Sequence, residues 1–417
     1  MEFYFFPAAS ITQFEEDSFK LVDIYGGEFR LGRNLMKSYL LQDGLSIIPF
    51  DLNKYGLSQE EHMSSIKSFR DAKLIHPSKF EKESSFNRRK VLEQITSTPF
   101  QKSRTLNIGD ITLELTQNCP YQCEGCFREL NNQKTLSLDT LDGLIDDLSL
   151  MGLRKISLSG GEVTASENSF ERFKHVCSYA KESDIGAVRL LTTGFNPEKV
   201  RESLEYGVNE IQISVDGLKN YHDSYKKFNG AFERAVEAIK LCEVEDVKLT
   251  TNTVVTQQNL PFIEEVLDNL SKFNINTLRV TKIMSSDKGL RLNTQQARQL
   301  YETIKRKQGE SPDRRIINAY GGCTNFLNCV GGIVYVHIGA TGNIFACDYM
   351  TEQSAGNINE KSFQEIWTES PVFTPFRTPT IIDGECGPCS TRSLCFGNCR
   401  IDKEYVEQTN MCEQHNK

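Results

Sequence analysis

The stretch ITLELTQNCPYQCEGC, residues 111–126, places three cysteines directly behind a run of alternating β-branched and apolar residues. The alternation in ITLELT predicts a β-strand, and Cys119, Cys123 and Cys126 fall on the loop that follows it. Similar runs recur later in the chain, with amphipathic stretches between them, which is the pattern of repeated βα units and a parallel sheet. They are KISLSGGE at 155–162, AVRLLTTG at 187–194, EIQISVDG at 210–217, VKLTTNTVV at 247–255 and NTLRVTKI at 276–283.

These units predict an α/β fold, a partial (β/α)6 barrel of TIM type over residues 105–310. In such a barrel the loops at the carboxyl ends of the strands build the active site, so the chemistry should converge on that rim. Between the first two strands, apolar residues recur at helical spacing and predict a helix that packs on the sheet. They are Leu138, Leu141, Ile145 and Leu148.

Length, charge and hydropathy narrow the class of protein. A chain of 417 residues exceeds what one hydrophobic core usually serves, which predicts two or three domains. The net charge of −8 provides no general attraction to nucleic acid or anionic lipid. No apolar run approaches the ~20 residues of a membrane span. We therefore expect a cytoplasmic protein without a nucleic-acid or membrane partner.

Cysteine content departs most from an average composition. Thirteen cysteines are too many for chance packing in a chain that looks intracellular, where disulfides are rare. Metal binding is the first interpretation for the clustered ones. Cys177 and Cys242 stand alone on apolar helix faces, and we expect both to be core residues.

The first cysteine cluster requires a cation. Three thiolates close together repel one another unless a cation lowers their pKa. A structural zinc ion needs a fourth protein ligand, and none lies nearby in the sequence. A four-iron cluster on three thiolates leaves one iron open for a small molecule. With this spacing after the first barrel strand, the chain resembles the radical S-adenosylmethionine (SAM) enzymes, which implies a [4Fe–4S] cluster on Cys119, Cys123 and Cys126 and SAM at its open iron.

Polar residues at the ends of the later strands fit this resemblance. Gly160, Gly161 and Glu162 resemble the GGE motif of the family, which implies that they receive the amino group of SAM. The resemblance implies further SAM contacts from Thr193, Ser214, Asp216, Asn252 and Arg279. A strand-end turn, a cap or a structural ion pair is the alternative for each of these. One departure concerns the adenine: the family commonly has an aromatic residue before the third cysteine, where this chain has Gly125, with Phe127 after the cysteine.

The carboxyl-terminal cysteines have a spacing that resembles the seven-cysteine SPASM pattern. With Cys323 they number eight, as two fully ligated four-iron clusters require. The resemblance implies an inner auxiliary cluster on Cys323, Cys329, Cys347 and Cys399 and an outer one on Cys386, Cys389, Cys395 and Cys412, which makes three [4Fe–4S] clusters in all. If Cys323 is not a ligand, the inner cluster keeps an open iron. Zinc sites are the alternative.

Three residues outside the clusters are candidates for proton transfer. Asp348 follows Cys347, at a place where sulfatase-maturing relatives hold a base near the substrate. Burial beside an anionic cluster would raise the pKa of this carboxyl group and favour that role, with a solvated turn residue as the alternative. His222 and Asp223 follow the fourth barrel strand, where a helix-capping pair is the simpler interpretation.

Residues 1–95 predict a separate α+β domain. A hairpin is expected around Gly26-Gly27, followed by two helices, the second opening at Ser58 with Glu61 as its capping box. This order resembles the winged-helix-like leader-recognition domain of peptide natural-product pathways, which implies that a leader peptide adds as a strand, most readily at the hairpin from Phe19 to Phe29. A plain barrel-capping domain is the alternative. The polar stretch 79–90 predicts a linker, and 311–417 the SPASM domain.

The combined resemblances imply an enzyme. Reductive cleavage of SAM yields a 5′-deoxyadenosyl radical that takes a hydrogen atom from an unactivated carbon. We expect a maturase that cross-links a ribosomally made precursor peptide, with a Cys thioether of sactipeptide or ranthipeptide type favoured, and a low-potential electron donor such as flavodoxin or ferredoxin. Carbon–carbon cyclisation and sulfatase maturation to formylglycine are the enzyme alternatives. A zinc-stapled binding scaffold is the non-enzyme alternative.

Overall fold

The computed structural model describes the barrel region almost completely and the two ends of the chain in part. The described residues are 4–5, 8–15, 18–23, 28–40, 57–58, 60–62, 64–65, 75–76, 104–105, 108–128, 130, 134–285, 287–310, 315–320, 323–324 and 331–377. The predicted linker at 79–90 lies outside them.

The amino-terminal region contains a small pair of strands and a four-stranded antiparallel sheet. The pair joins β1 (Tyr4–Phe5) to β5 (Ile75–His76). The sheet has the order β4-β3-β2-β6 and consists of β2 (Ala8–Glu15), β3 (Ser18–Asp23), β4 (Glu28–Gly32) and β6 (Arg104–Thr105). The sheet therefore takes its last strand from beyond residue 95.

Local signals in this region form the elements that the sequence predicts. Strands β3 and β4 form the expected hairpin, with Phe19 opposite Leu31, and α1 (Arg33–Leu40) follows directly. The capping box is present as well. The Glu61 amide donates to Ser58 Oγ at 3.2 Å, and the Ser58 amide donates to Glu61 Oε2 at 2.9 Å.

The six predicted barrel strands are confirmed, and each pairs in parallel with the next along the chain. Their common polarity places all the carboxyl ends at one edge of the sheet, which is where the predicted site residues lie. The strands are β7 (Asp110–Thr116), β8 (Lys155–Gly160), β9 (Ala187–Thr192), β10 (Glu210–Ser214), β11 (Lys248–Val255) and β12 (Thr277–Lys282).

Helices connect these strands, and the longer ones bury an apolar face. They are α2 (Leu138–Leu150), α3 (Glu167–Glu182), α4 (Pro197–Glu202), α5 (Lys219–Lys226), α6 (Ala231–Cys242), α7 (Ile263–Leu270) and α8 (Thr294–Glu310). In α2 the predicted stripe is buried except for Leu138, which is 40% exposed because the stripe begins one turn later. Cys177 and Cys242 are fully buried, as predicted. Among the described residues, no helix is both long and apolar enough to cross a membrane.

The tail extends the barrel sheet at both edges. Beyond β12 come β13 (Arg315–Tyr320) and the antiparallel β14 (Cys323–Thr324). At the other edge, β15 (Tyr335–Ile338) pairs in parallel with β7 and is followed by β16 (Asn343–Phe345) and β17 (Gly356–Asn357). Strand β15 therefore lies beside the strand that leads into the first cysteine cluster.

Two short helices follow β17, and the first contacts α2, where the Phe363 amide donates to Asp147 Oδ2 at 2.9 Å. They are α9 (Phe363–Glu369) and α10 (Thr374–Arg377). Trp367 is fully buried and packs on Phe363 and Phe373, while the Arg377 guanidinium lies 4.2 Å from its ring centroid. This packing anchors the segment that carries Cys347.

Candidate active site

The loop with the first three cysteines is held by backbone hydrogen bonds on both sides. On the β8 side, the Gly161 amide donates to the Thr116 carbonyl at 2.7 Å and the Glu162 amide to the Asn118 carbonyl at 2.8 Å. These two bonds bring the predicted GGE motif directly against the cysteine loop. The site is therefore assembled by main-chain contacts between the first two βα units.

The far side of the loop rests on the end of α5. The Gln122 amide donates to the Lys226 carbonyl at 3.1 Å, and the Glu124 amide donates to the Tyr225 carbonyl at 3.2 Å. Between these contacts and the β8 loop, the buried Tyr121 ring makes edge-to-face contacts with Phe195 and Phe228. The aromatic cluster fixes the loop in a way that the cysteine spacing does not reveal.

Both glycines of the GGE motif are required by close approach. Gly160 has φ +145°, and a Cβ built on it would lie 2.2 Å from the Thr116 carbonyl oxygen. A Cβ on Gly161 would lie 2.2 Å from the Asn118 carbonyl oxygen. Any side chain at either position would push the cysteine loop away from β8.

Glu162 is almost completely buried and accepts hydrogen bonds from three threonines. Thr164 donates from its amide and hydroxyl and Thr192 from its hydroxyl, all to Oε1. Thr193 donates from its amide at 2.7 Å and its hydroxyl at 2.5 Å, both to Oε2. The carboxylate is thus fixed in orientation. The Thr193 hydroxyl, which the resemblance assigns to SAM, here orients Glu162.

A buried ion pair follows the fourth barrel strand. The Lys226 ammonium lies 2.7 Å from Asp216 Oδ2 and donates to Ser214 Oγ at 3.1 Å. Asp216 also accepts from the Val254 amide at 2.9 Å, and burial acts against its charge, but Lys226 lowers the pKa of this carboxyl group overall. Lys226 is a site residue that sequence reasoning missed. Its position in the segment after this strand, near His222 and Asp223, was the available signal.

Asn252 and Arg279 stand in one row with Ser214 across the sheet. Ser214 pairs with Asn252, and Asn252 with Arg279, on neighbouring strands. The Asn252 side-chain oxygen accepts from the Thr281 hydroxyl at 2.8 Å. Of the residues predicted to contact SAM, Ser214 ends its strand, and Glu162, Thr193 and Asp216 lie one or two positions beyond theirs. Asn252 and Arg279 lie inside β11 and β12, three positions before the end of each strand.

The three thiols of the cysteine loop suit an iron–sulfur cluster. Cys119, Cys123 and Cys126 are free thiols, the last of them exposed. Burial raises the pKa of Cys119 to about 12 and also raises that of Cys123, although Lys226 opposes the latter shift. Nowhere in the described residues do three His, Cys, Asp or Glu side chains gather closely enough to hold one metal ion. Thiolates that each bind a different iron stand further apart, and the iron would supply the charge that these thiols need to ionise.

The structure provides a steric reason for glycine, rather than an aromatic residue, at position 125. Gly125 has φ +72°, and a Cβ built on it would lie 2.9 Å from Leu290 Cδ1 and 3.0 Å from Ile283 Cδ1. Leu290 and Ile283 are both buried. Two aliphatic side chains from the segment after β12 therefore fill the space beside the loop where the family commonly has an aromatic ring. Phe127 instead packs on Tyr349, with ring centroids 4.7 Å apart.

The protein groups around Asp348 oppose the expected rise in the pKa of its carboxyl group. Burial acts to raise the pKa of this carboxyl group, but contacts with His337 and Tyr335 and the charge of Arg128 outweigh it and hold the pKa at about 2. The Tyr335 hydroxyl donates to Oδ2 at 2.6 Å, and His337 Nδ1 lies 3.0 Å from Oδ1. The sequence places these cationic and hydroxyl partners far from Asp348 and therefore gave no sign of them.

Most of the predicted auxiliary ligands lie outside the described residues. They are Cys329, Cys386, Cys389, Cys395, Cys399 and Cys412. Cys323 is described only as part of the backbone of β14. Cys347 is buried and lies just after β16. Its placement brings one predicted auxiliary ligand to the barrel edge formed by β7 and β15.

His222 and Asp223 are structural. His222 is fully buried, its Nδ1 accepts from the Asp216 amide at 3.0 Å, and burial together with Lys226 lowers its pKa to about 4. Asp223 accepts from the amides of Gly230 and Phe232 at the start of α6. The capping interpretation is therefore confirmed for Asp223, whereas His222 holds the turn after β10.

Two family models match the chain. Residues 113–281 match the radical SAM superfamily, and residues 329–390 match SPASM, an iron–sulfur cluster-binding domain. Among curated proteins, the AdoMet-dependent heme synthase of Oleidesulfovibrio alaskensis is 25% identical over 75% of this chain and 88% of its own length. The mycofactocin maturase MftC of Mycolicibacterium smegmatis is 27% identical over 71% of this chain and 79% of its own.

Solved structures share the fold over a longer stretch. The crystal structure of Streptococcus suis SuiB bound to the precursor peptide SuiA aligns with a TM-score of 0.64 at 16% identity, covering 95% of this chain and 96% of that one. The two matched domains indicate SAM and iron–sulfur clusters as cofactors. With the cysteine loop, the GGE motif and the parallel strands in the arrangement described above, the chain is an enzyme with a radical SAM domain and a SPASM domain.

Proposed function

We propose that this enzyme modifies a ribosomally made precursor peptide and joins a cysteine sulfur of that peptide to a carbon atom as a thioether. The observation that carries the proposal is the extent of the likeness to SuiB, which was solved with a precursor peptide and covers 95% of this chain. The curated relatives named above cover 71–75% of it. A peptide substrate would account for the additional amino-terminal sheet, which is proposed below to bind the leader peptide.

Haem-precursor chemistry is the second candidate, because AdoMet-dependent heme synthases are among the sequence relatives. Identity of 25% does not fix a substrate, and the same scaffold supports different reactions. The two candidates differ in what the enzyme must bind: a peptide recognised away from the reacting atoms, or a macrocycle held entirely at the barrel rim.

The proposed roles of the rim residues follow from the contacts described. Cys119, Cys123 and Cys126 would hold the SAM-binding cluster, and Gly160, Gly161 and Glu162 the amino group of SAM. When bound, SAM and its cluster supply the radical that removes a hydrogen atom from the substrate. Further SAM contacts are proposed from Thr193, Ser214, Asp216, Asn252 and Arg279. The carboxylate of Glu162 suits an ammonium partner because it is an acceptor whose orientation the threonine donors fix.

Two auxiliary [4Fe–4S] clusters are proposed for the SPASM domain, on the two sets of four cysteines that the resemblance implies. Thioether formation removes two hydrogen atoms from the peptide, and one of the two electrons released needs an acceptor close to the substrate. An auxiliary cluster at Cys347 would serve as that acceptor. A flavodoxin or ferredoxin is proposed as the electron donor for the SAM-binding cluster.

The leader peptide is proposed to add to the free edge of the amino-terminal sheet. Within the hairpin from Phe19 to Phe29, β3 is paired on both sides, with β2 and β4. Among the described strands, β4 has one partner and terminates the sheet. A peptide strand would find unpaired backbone donors and acceptors there.

The decisive experiment is anaerobic turnover with defined substrates after reconstitution with iron and sulfide. The precursor encoded beside the gene is incubated with SAM and dithionite, and mass spectrometry follows the loss of two hydrogen atoms and of one alkylatable thiol. A parallel reaction contains an iron porphyrin in place of the peptide. Loss of two hydrogens with retention of every thiol would replace the thioether by a carbon–carbon cross-link, and consumption of the porphyrin alone would contradict the peptide proposal.

A truncation tests the leader-binding role. Because Thr105 in β6 pairs with Thr12 in β2, the deletion should end after residue 105 rather than at 95. We expect the truncated enzyme to cleave SAM but to leave the full precursor unmodified. A precursor without its leader serves as the matched control, since it should be a poor substrate for both forms. Unchanged processing of the full precursor by the truncated enzyme would contradict this part of the proposal.

A further inference from the structure

Four buried charged side chains connect the segment after the first cysteine cluster with the segment after Cys347. Arg128, two residues beyond Cys126, forms an ion pair with Glu114 on β7 and donates to Ser159 Oγ on β8 at 3.0 Å. Glu114 Oε1 lies 3.4 Å from His337 Nε2 on β15. His337 Nδ1 lies 3.0 Å from Asp348, the residue after Cys347.

The imidazole in the middle of this array is positively charged. A neutral imidazole carries one N–H, and its other nitrogen is an acceptor that would face a carboxylate unfavourably. His337 has a carboxylate at each ring nitrogen and is only 2% exposed. Burial acts to lower the pKa of His337, but Asp348 and Glu114 outweigh it and raise the pKa. The charges along the array therefore alternate as Arg⁺, Glu⁻, His⁺ and Asp⁻.

We propose that His337 and Glu114 are positioning residues that bridge the two cysteine-bearing segments, with the His337 imidazolium setting the local charge beside the auxiliary cluster at Cys347. The array joins β7, β8 and β15, so it fixes the distance between the two segments through rigid strands. Asp348 is then an anion with both oxygens engaged, by His337 and by Tyr335, and it holds the segment in place. The part played in cross-linking rests on the proposed peptide chemistry, and the charge effect rests on the auxiliary cluster proposed at Cys347.

Charges beside an iron–sulfur cluster change its reduction potential, because the reduced cluster is the more negative form. Removing the positive charge of His337 should therefore make reduction of the auxiliary cluster harder. Removing the negative charge of Glu114 should make it easier. Opposite shifts from two neighbouring substitutions distinguish an effect of charge from a loss of packing.

The experiment is an EPR-monitored redox titration of the reconstituted full-length enzyme, which requires no peptide. We expect His337→Gln to shift the auxiliary-cluster potential to more negative values and Glu114→Gln to more positive values, with wild-type iron content. Tyr335→Phe removes a hydrogen bond to the same Asp348 without changing charge and should leave the potential unchanged. His175→Gln is the surface control, since the His175 side chain is 34% exposed and its imidazole lies 2.7 Å from Asp142.

The proposal would be overturned if His337→Gln with full iron content kept the wild-type potential. It would also be overturned if His337→Gln, Glu114→Gln and Tyr335→Phe all shifted the potential in the same direction. If His337→Gln loses iron, the test depends on Glu114→Gln alone: a more positive potential supports the proposal, and a more negative or unchanged one contradicts it. Where the precursor is modified, the yield of cross-linked peptide per 5′-deoxyadenosine should fall about tenfold in His337→Gln, as for other residues behind cluster ligands. If no peptide is modified even by the wild type, the proposed function fails while the potentials still test the charge effect.

Discussion

The ammonium of Lys226 lies 2.7 Å from a carboxylate oxygen of Asp216, and both side chains are almost completely inaccessible to solvent. The same lysine accepts a hydrogen bond from Gln122 through its carbonyl, so one residue supports both the end of β10 and the cysteine loop. A buried ion pair in this place couples the fourth βα unit to the first.

Breaking this pair from one side should destabilise the enzyme strongly. For Asp216→Asn or Lys226→Met alone we expect a loss of about 3–5 kcal/mol, because each leaves an uncompensated buried charge. The double variant should lose less than the sum of the two, as residues in direct contact do. Urea unfolding under anaerobic conditions measures these losses. Glu233→Gln, which breaks the half-exposed pair with Lys219, is the control and should change the midpoint little. Strict additivity would contradict the coupling.

Gly161→Ala should abolish SAM binding. The new Cβ would lie 2.2 Å from the Asn118 carbonyl oxygen, so the cysteine loop would have to move away from β8. Gly143→Ala is the matched control, since nothing lies within 4 Å of a Cβ there and the residue sits inside helix α2. That control should retain SAM binding and gain about 0.5–1 kcal/mol in stability. Equilibrium binding of SAM to both reconstituted variants provides the comparison, and wild-type affinity in Gly161→Ala would show that the loop tolerates the displacement.

Glu210 should stabilise the floor of the barrel in a pH-dependent way. Burial acts to raise the pKa of this carboxyl group, but Arg189, Lys155 and Lys248 outweigh it and lower the pKa from 4.5 to about 2. A depressed folded-state pKa contributes stability that is complete above the unfolded value and is lost as the pH falls from 4.5 to about 2.

Glu210→Gln should therefore destabilise the enzyme by about 3 kcal/mol at neutral pH. The difference in free energy of unfolding between variant and wild type should shrink steadily below pH 4.5. Denaturation midpoints measured from pH 7 to pH 3 give this difference. A deficit that stays constant over that range would mean that the carboxylate charge is not what stabilises the site.

Replacing Cys119, Cys123 and Cys126 together by alanine should remove about four iron atoms per chain and eliminate formation of 5′-deoxyadenosine. The reason is that no other thiols lie on this loop. Cys177→Ala and Cys242→Ala are matched controls, because both thiols are buried in helix–sheet packing. They should retain iron and SAM cleavage. Residual 5′-deoxyadenosine from the triple variant under a strong reductant would contradict the assignment of the cluster.

The sequence by itself determined the barrel and its polarity. Each β-branched run and its helical stripe is a local pattern, and parallel strands joined by helices leave the carboxyl ends at one edge. The cysteine loop, the GGE motif and the strand-end polar residues could therefore be located from the chain alone. The same local rules identified the β3–β4 hairpin and the Ser58–Glu61 capping box.

Only the tertiary structure decided how charges meet across the sheet. Arg128, Glu114, His337 and Asp348 come from separate parts of the chain, and their contact depends on β15 pairing with β7, which no local pattern specifies. The same holds for Lys226 and for the aliphatic side chains that meet Gly125. A pKa depends on distances of a few ångströms between groups far apart in sequence, so the direction of the Asp348 shift had to await the fold.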